Sequence, residues 1–126
     1  MKAVPVFLLV EPSAVLCSFM RAWLEDVLTD CRILIAVNGA EAVRLAVLEQ
    51  PAHILIECNL PDTSSFEVIR QIRADLPDAK VIATHWDESR FFLEQVLSAG
   101  ADGFIPQHRL HAELLPLLGI SEETHP

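Results

Sequence analysis

The run His53-Ile54-Leu55-Ile56-Glu57-Cys58, followed after a short polar loop by Ser64-Ser65-Phe66-Glu67, decides the fold of this chain. The first part is a brief apolar stretch, which suits a strand covered on both faces. The second part is a capping box, in which a serine side chain accepts from an early helical amide and a glutamate three positions later reaches back. The helix it opens places Phe66, Ile69 and Ile72 on one stripe, and Leu76-Pro77-Asp78 closes it. A strand that hands over directly to a helix is half of a parallel βαβ unit.

The same unit repeats outward in both directions. Upstream, Val4 to Val10 is a branched-apolar strand, and Ser13 to Leu28 sets Leu16, Phe19, Met20, Trp23, Val27 and Leu28 at helical spacing. Cys31 to Val37 is a second strand, and Asn38-Gly39-Ala40-Glu41 supplies an N-cap ahead of Ala42, Val43, Ala46 and Val47. Downstream, Lys80 to Thr84 reads as a fourth strand and Asp87 to Ala99 as a fourth helix, with Phe92, Val96 and Ala99 on one stripe and Gly100 at its end. Gly103 to Pro106 is a brief fifth strand. His111 to Leu118 is helical by its leucines, although Pro116 inside a helix costs about 3 kcal/mol unless the helix starts late or kinks. Five such units imply an α/β, doubly wound domain whose parallel sheet is covered by helices on both faces.

A length of 126 residues fits one ordinary domain, and a composition 52% hydrophobic and 21% charged can bury a core without disulfides or metals. The expected organisation is one domain over residues 1–120 with a polar tail, 121–126. The formal charge of -9, without any basic block, argues against direct contact with nucleic acid. Cys17, Cys31 and Cys58 are odd in number and lack CxxC spacing, as expected of reduced, largely buried thiols in a cytoplasmic protein. The apolar start is interrupted by Pro5 and stopped by Glu11, so it reads as a strand rather than a secretion signal. No later stretch is long enough to cross a membrane.

In doubly wound sheets ligands gather outside the carboxyl ends of the strands. That singles out Glu11 and Pro12, Glu57 to Asn59, Thr84 to Trp86, and Pro106 to His108. Val10-Glu11-Pro12-Ser13 has no glycine to cradle a pyrophosphate, and four glycines in the chain leave no P-loop. No Gly-x-Ser-x-Gly elbow or His-Glu-x-x-His pair occurs, and Ser64 and Ser65 read as helix caps rather than nucleophiles.

Four stretches, in their order and spacing, carry a specific resemblance: Leu8-Leu9-Val10-Glu11, Ile54-Leu55-Ile56-Glu57-Cys58-Asn59-Leu60-Pro61-Asp62, Phe66-Glu67-Val68-Ile69-Arg70, and Ser98-Ala99-Gly100-Ala101-Asp102-Gly103-Phe104-Ile105-Pro106. Together they resemble the receiver domains of bacterial two-component response regulators over nearly the whole chain. The nearest likeness is to the LuxR/NarL type, in which the receiver is joined to a helix-turn-helix DNA-binding output. The resemblance implies a flavodoxin-like (βα)5 fold with strand order 2-1-3-4-5. In that family an Asp ending strand three accepts a phosphoryl group, two acids after strand one hold Mg²⁺, a Thr or Ser ends strand four, and a Lys ends strand five.

Every one of those places is altered here. Glu57 stands at the phosphoacceptor position, its carboxylate carried outward by about one C–C bond from in-line geometry that tolerates little displacement. Glu11 keeps one acid of the metal pair and Pro12 replaces the other, so that with Asn59 they form a degenerate acidic pocket in which Mg²⁺ binding is expected to be weak or absent. His85 falls at the hydroxyl position and Gln107 at the lysine position, neither supplying a fixed positive charge. Phe104 stands where the family carries an aromatic that switches between exposed and buried, or else is an ordinary edge-strand aromatic.

The expectation that follows is a signal-transduction receiver without enzymatic activity, a phosphorylation-independent pseudo-receiver acting by protein–protein contact and needing no cofactor. Its expected partners are an output domain, a histidine kinase or another regulator, with a homodimer through the fourth helix, fifth strand and fifth helix, or through helix one. One alternative is a conventional phosphorelay receiver phosphorylated inefficiently at Glu57; another is a metal, pH or small-ligand sensor at the same cleft. For a metal, Glu11, Glu57 and His85, with Asp62, are weak candidates. His85 between two carboxylates would make a pH-sensitive clasp, whereas the plainer expectation is a solvated histidine beside a vestigial pocket. Glu57 as a built-in mimic of the phosphorylated state lacks a lysine at 107 to receive its charge. Trp86, Phe91 and Phe92 are candidate partner anchors, the simpler case being that Phe92 is core and only Trp86 shows.

Overall fold

The computed structural model describes residues 4–119. Five parallel strands, β1 Val6–Val10, β2 Arg32–Ala36, β3 His53–Glu57, β4 Lys80–His85 and β5 Gly103–Pro106, form one sheet in the order β2-β1-β3-β4-β5. Between them run α1 Ala14–Val27, α2 Gly39–Glu49, α3 Ser65–Asp75 and α4 Arg90–Ala99, and a 3-10 turn at Gln107–Arg109 leads into α5 Leu110–Leu118. The doubly wound fold is as the repeated strand–helix units imply, and the order reverses between β1 and β3, where such folds place their sites. The tail expected at 121–126 lies outside the described residues. No described helix is long and apolar enough to cross a membrane.

Strand alternation divides the core in two. Leu8, Val10, Ile54, Ile56, Val81 and Ala83 pack with α2, α3 and α4, while Phe7, Leu9, Leu55, Ile82 and Ile105 pack with α1 and α5. The cap residues follow the sequence, with Ser13 Oγ accepting from Leu16 N, Asn38 Oδ1 from Glu41 N and Ser64 Oγ from Phe66 N, but the Glu67 carboxylate of the expected box pairs with Arg70 instead of reaching back. All three cysteines are free thiols, Cys17 buried and the other two half-buried.

Three elements depart from their expected form. Helix α4 starts at Arg90 rather than Asp87, because Ser89 is the cap and the Asp87 carboxylate is spent on the Ser89 amide. Pro116 neither delays nor breaks α5. It sits in the last turn, where it gives up one main-chain bond with only Leu117 and Leu118 beyond it, and Gly119 then closes the helix in the left-handed region at φ 74°. In α1 the buried stripe is Cys17, Met20 and Leu24, which leaves Leu16 and Phe19 exposed at the end nearest the carboxyl edge of the sheet.

Arg73, at the end of α3, ties the opposite edge together. Its guanidinium donates to the carbonyls of Gly100 at 2.9 Å, Ala79 at 2.7 Å, Pro77 at 3.0 Å and Leu76 at 3.4 Å, and to Asp102 Oδ2 at 2.6 Å. Asp102 Oδ2 also accepts from Val81 N, so one network fixes where β4 starts and where α4 turns into β5. Gly100 has φ 119°, and a β-carbon there would fall 3.0 Å from Arg73 Cγ, so backbone and packing both demand glycine. Arg73→Ala strands these acceptors and is expected to cost about 2–3 kcal/mol in urea unfolding, with Arg73→Lys intermediate because it cannot reproduce the fork.

Candidate functional site

The carboxyl edge of the sheet gathers Glu11 after β1, Glu57 ending β3, Thr84 and His85 ending β4, and Gln107 after β5. Register sets their neighbours: Val10 lies beside Ile56, Glu57 beside Thr84, and His85 beside Pro106. Glu57 is only 6% exposed, although it is the last residue of its strand. A carboxylate so withdrawn from water needs partners. Oε1 accepts from the Asn59 amide at 3.0 Å and lies 2.9 Å from His85 Nδ1, which requires the imidazole proton on Nδ1 when the carboxylate is ionised. Oε2 is buried with no hydrogen-bond partner.

His85 is held by rings as well as by charge. Its side chain is 12% exposed, its ring stacks on Phe92 at 4.9 Å, and Trp86 lies at 5.2 Å. Phe92 in turn touches Phe66 and Phe104, both at 5.6 Å. The expectation of a solvated histidine is therefore corrected: stacking orients the ring so that Nδ1 faces the carboxylate. The clasp has one carboxylate rather than two, since the Glu11 carboxylate accepts from Ser13 N at 3.1 Å instead. Phe104 is half-buried against Phe92, so it is part of this cluster and not a free edge aromatic. Trp86 and Phe91 are both exposed while Phe92 is packed, so two aromatics show where one was expected.

Asp62 does not join the site. Its carboxylate accepts from Gly39 N at 2.8 Å and Ala40 N at 3.0 Å, tying the loop after β3 to the start of α2, and these backbone donors hold its carboxyl below the usual range. Among the described residues no group of three or more His, Cys, Asp and Glu side chains is placed to hold a metal ion. Pro12 is half-buried and Asn59 exposed, Asn59 serving Glu57 through its main chain. The Cys58 thiol, beside Glu57 in sequence, is pushed up to about 12 by burial, so it stays a thiol and not a nucleophile at neutral pH.

Thr84 was singled out by its place at the sheet edge, but its hydroxyl was given no role there. It is 3% exposed, its Oγ1 has no hydrogen-bond partner, and it shares a cavity of about 280 Å³ with Glu57, Glu11 and Gln107. The hydroxyl assigned as lost at position 85 thus exists one residue earlier, on the α1/α5 face. The signal was strand parity: Thr84 follows Ile82 onto that face, as Glu57 follows Leu55.

Glu11, 6% exposed, has its carboxyl pushed up by burial, opposed by the Ser13 amide and reinforced by the nearby Glu57 charge. A native pKa above the unfolded value means that the folded state holds the proton more tightly. Stability on this account is greatest below the unfolded pKa of about 4.3 and falls as pH rises through the native one. Glu11→Gln, which keeps an acceptor for Ser13, is expected to raise the urea midpoint at pH 8 and leave it nearly unchanged at pH 4.

Comparison with known proteins agrees with this fold. The chain is 28% identical over 91 residues to the chemotaxis protein CheY of Thermotoga maritima, covering 70% of this chain and 76% of that one. It is 34% identical over 70 residues to the transcriptional regulatory protein YdfI of Bacillus subtilis, covering 56% of this chain and 32% of that one. The aligned part spans 29% to 39% of the relatives that carry a transcriptional name, so the rest of those proteins has no counterpart in this match. A CheY-like receiver domain protein from Methanospirillum hungatei superposes with a TM-score of 0.81 at 21% identity, covering 93% of this chain and 95% of that one. The response regulator receiver domain family matches residues 7–117, and the chain belongs to that family.

Proposed function

We propose that this receiver works without phosphorylation, as an interaction module in signal transduction. The observation that carries the reading is the buried Glu57–His85 pair. A phosphoacceptor must present a free carboxylate oxygen to an in-line donor with a cation beside it, whereas Glu57 has one oxygen committed to His85 and Asn59 and the other buried in an apolar cavity with no cation beside it among the described residues. The charge expected to develop on a transferring phosphoryl group would meet Gln107 where the family has an ammonium. Mg²⁺ fits this donor set poorly. The Glu11 and Glu57 carboxylates each already accept a main-chain amide, Pro12 adds no oxygen from its side chain, and near-octahedral coordination needs more than they offer. The domain on this reading needs no cofactor and catalyses no reaction of its own.

Its partners are proteins: an output domain, a kinase or another regulator, and a second copy of the chain, in a cytoplasmic setting. The names of the transcriptional relatives favour an output in gene regulation, with the DNA contacted by a separate domain, since this one carries -9. The exposed Trp86 and Phe91 at the entrance to α4 are the apolar anchors best placed for self-association.

Incubation with acetyl phosphate and Mg²⁺, followed by intact-mass spectrometry, is expected to show no phosphoryl adduct; an adduct that vanishes in Glu57→Ala would restore the conventional receiver. In light scattering, the double change Trp86→Ala and Phe91→Ala is expected to weaken the homodimer by more than about tenfold. Unchanged assembly would move the dimer face elsewhere, with the exposed apolar side of α1 next in line.

A further inference from the structure

The cavity on the α1/α5 side of the sheet edge is walled by Leu9, Leu55 and Met20, with the exposed Leu16 and Phe19 of α1 at its rim. Its floor is polar in an unusual way. Glu57 Oε2 and Thr84 Oγ1, both on side chains more than nine-tenths buried, have no hydrogen-bond partner, and Glu11 contributes a second carboxylate to the same lining. An orphaned buried carboxylate oxygen costs several times what an ordinary exposed one does, and it is relieved only by a donor. Gln107 lines the cavity without reaching either orphan, so the described residues supply no such donor.

We infer that this cavity binds a small organic cation, a primary ammonium carried on an apolar body. The three N–H donors of an ammonium match an acceptor-only carboxylate oxygen and a hydroxyl that can accept, and its charge suits two carboxylates. The apolar body fills walls that a hydrated divalent ion could not use. Anions are rejected by Glu11 and Glu57. A volume of about 280 Å³ sits just below the usual range of about 300–1,000 Å³ for small-molecule pockets, which limits the ligand to roughly one ring and a short chain. The site lies on the α1/α5 face and uses the free oxygen of Glu57, so it rests on the reading that this carboxylate carries no phosphoryl group.

The test uses three probes of one shape, 2-phenylethylammonium, 2-phenylethanol and 3-phenylpropanoate, titrated into the full chain and followed by amide chemical shifts. The ammonium is expected to give saturable shifts at Leu16, Thr84 and Gln107, the alcohol to bind about tenfold more weakly, and the carboxylate not at all. Gln107→Lys, which brings the chain's own ammonium to the cavity, is expected to abolish the ammonium response. Thr84→Val, which keeps shape and removes the hydroxyl, is expected to weaken it about tenfold and carries the test if the lysine variant does not fold. Equal responses to all three probes, no response to the ammonium, or an ammonium response that survives in every folded variant would overturn the inference.

Discussion

The burial of a carboxylate at the end of β3 is the constraint on which the functional edge of this protein depends. A glutamate reaches further than an aspartate, and at 6% exposure its charge must be met from within the chain. His85 meets half of that demand through Nδ1, and it can do so only because Phe92 stacks on its other side and is itself wedged between Phe66 and Phe104. One carboxylate therefore organises the ends of β3, β4 and β5 and the inner face of α4. Removing the ring cluster would free the histidine, and removing the histidine would leave Glu57 with the Asn59 amide as its remaining partner.

The other half of the demand is unmet, and this asymmetry follows from strand geometry. Thr84 and Glu57 are register partners whose side chains line the α1/α5 cavity, while His85, one residue on, packs with the rings on the α4 side. Glu57 stands at the boundary, with one oxygen serving each side. The two oxygens of one acid thus face different surroundings, an aromatic clasp on one side and an apolar cavity on the other.

The scaffold was almost wholly legible in the sequence, because short apolar runs and capping residues act locally. Ser13, Asn38 and Ser64 cap the helices they precede, and Gly100 takes the left-handed turn that its place after Ala99 suggested. Site residues were legible as positions but not as contacts. Whether His85 is solvated depends on Phe92, which arrives from another helix, and whether Glu11 shares that histidine depends on the Ser13 amide two residues away. Asp62 read as a spare carboxylate because its partners, Gly39 and Ala40, are remote in sequence. Pro116 looked disruptive because propensity does not register packing: Leu110, Leu114, Leu115 and Leu118 of the same helix are buried, and that burial outweighs the one main-chain bond the ring gives up.

The claim at the centre is that Glu57 is held closed by His85 and cannot take up a phosphoryl group. The most direct measurement is a titration with beryllofluoride, a mimic of a bound phosphoryl group, in the presence of Mg²⁺, with the amides of Glu57, His85 and Gln107 followed by NMR. Those resonances are predicted to stay unchanged up to millimolar reagent. Saturable shifts converging on Glu57 and spreading to Phe104 would contradict the closed clasp and return the domain to phosphate-driven signalling.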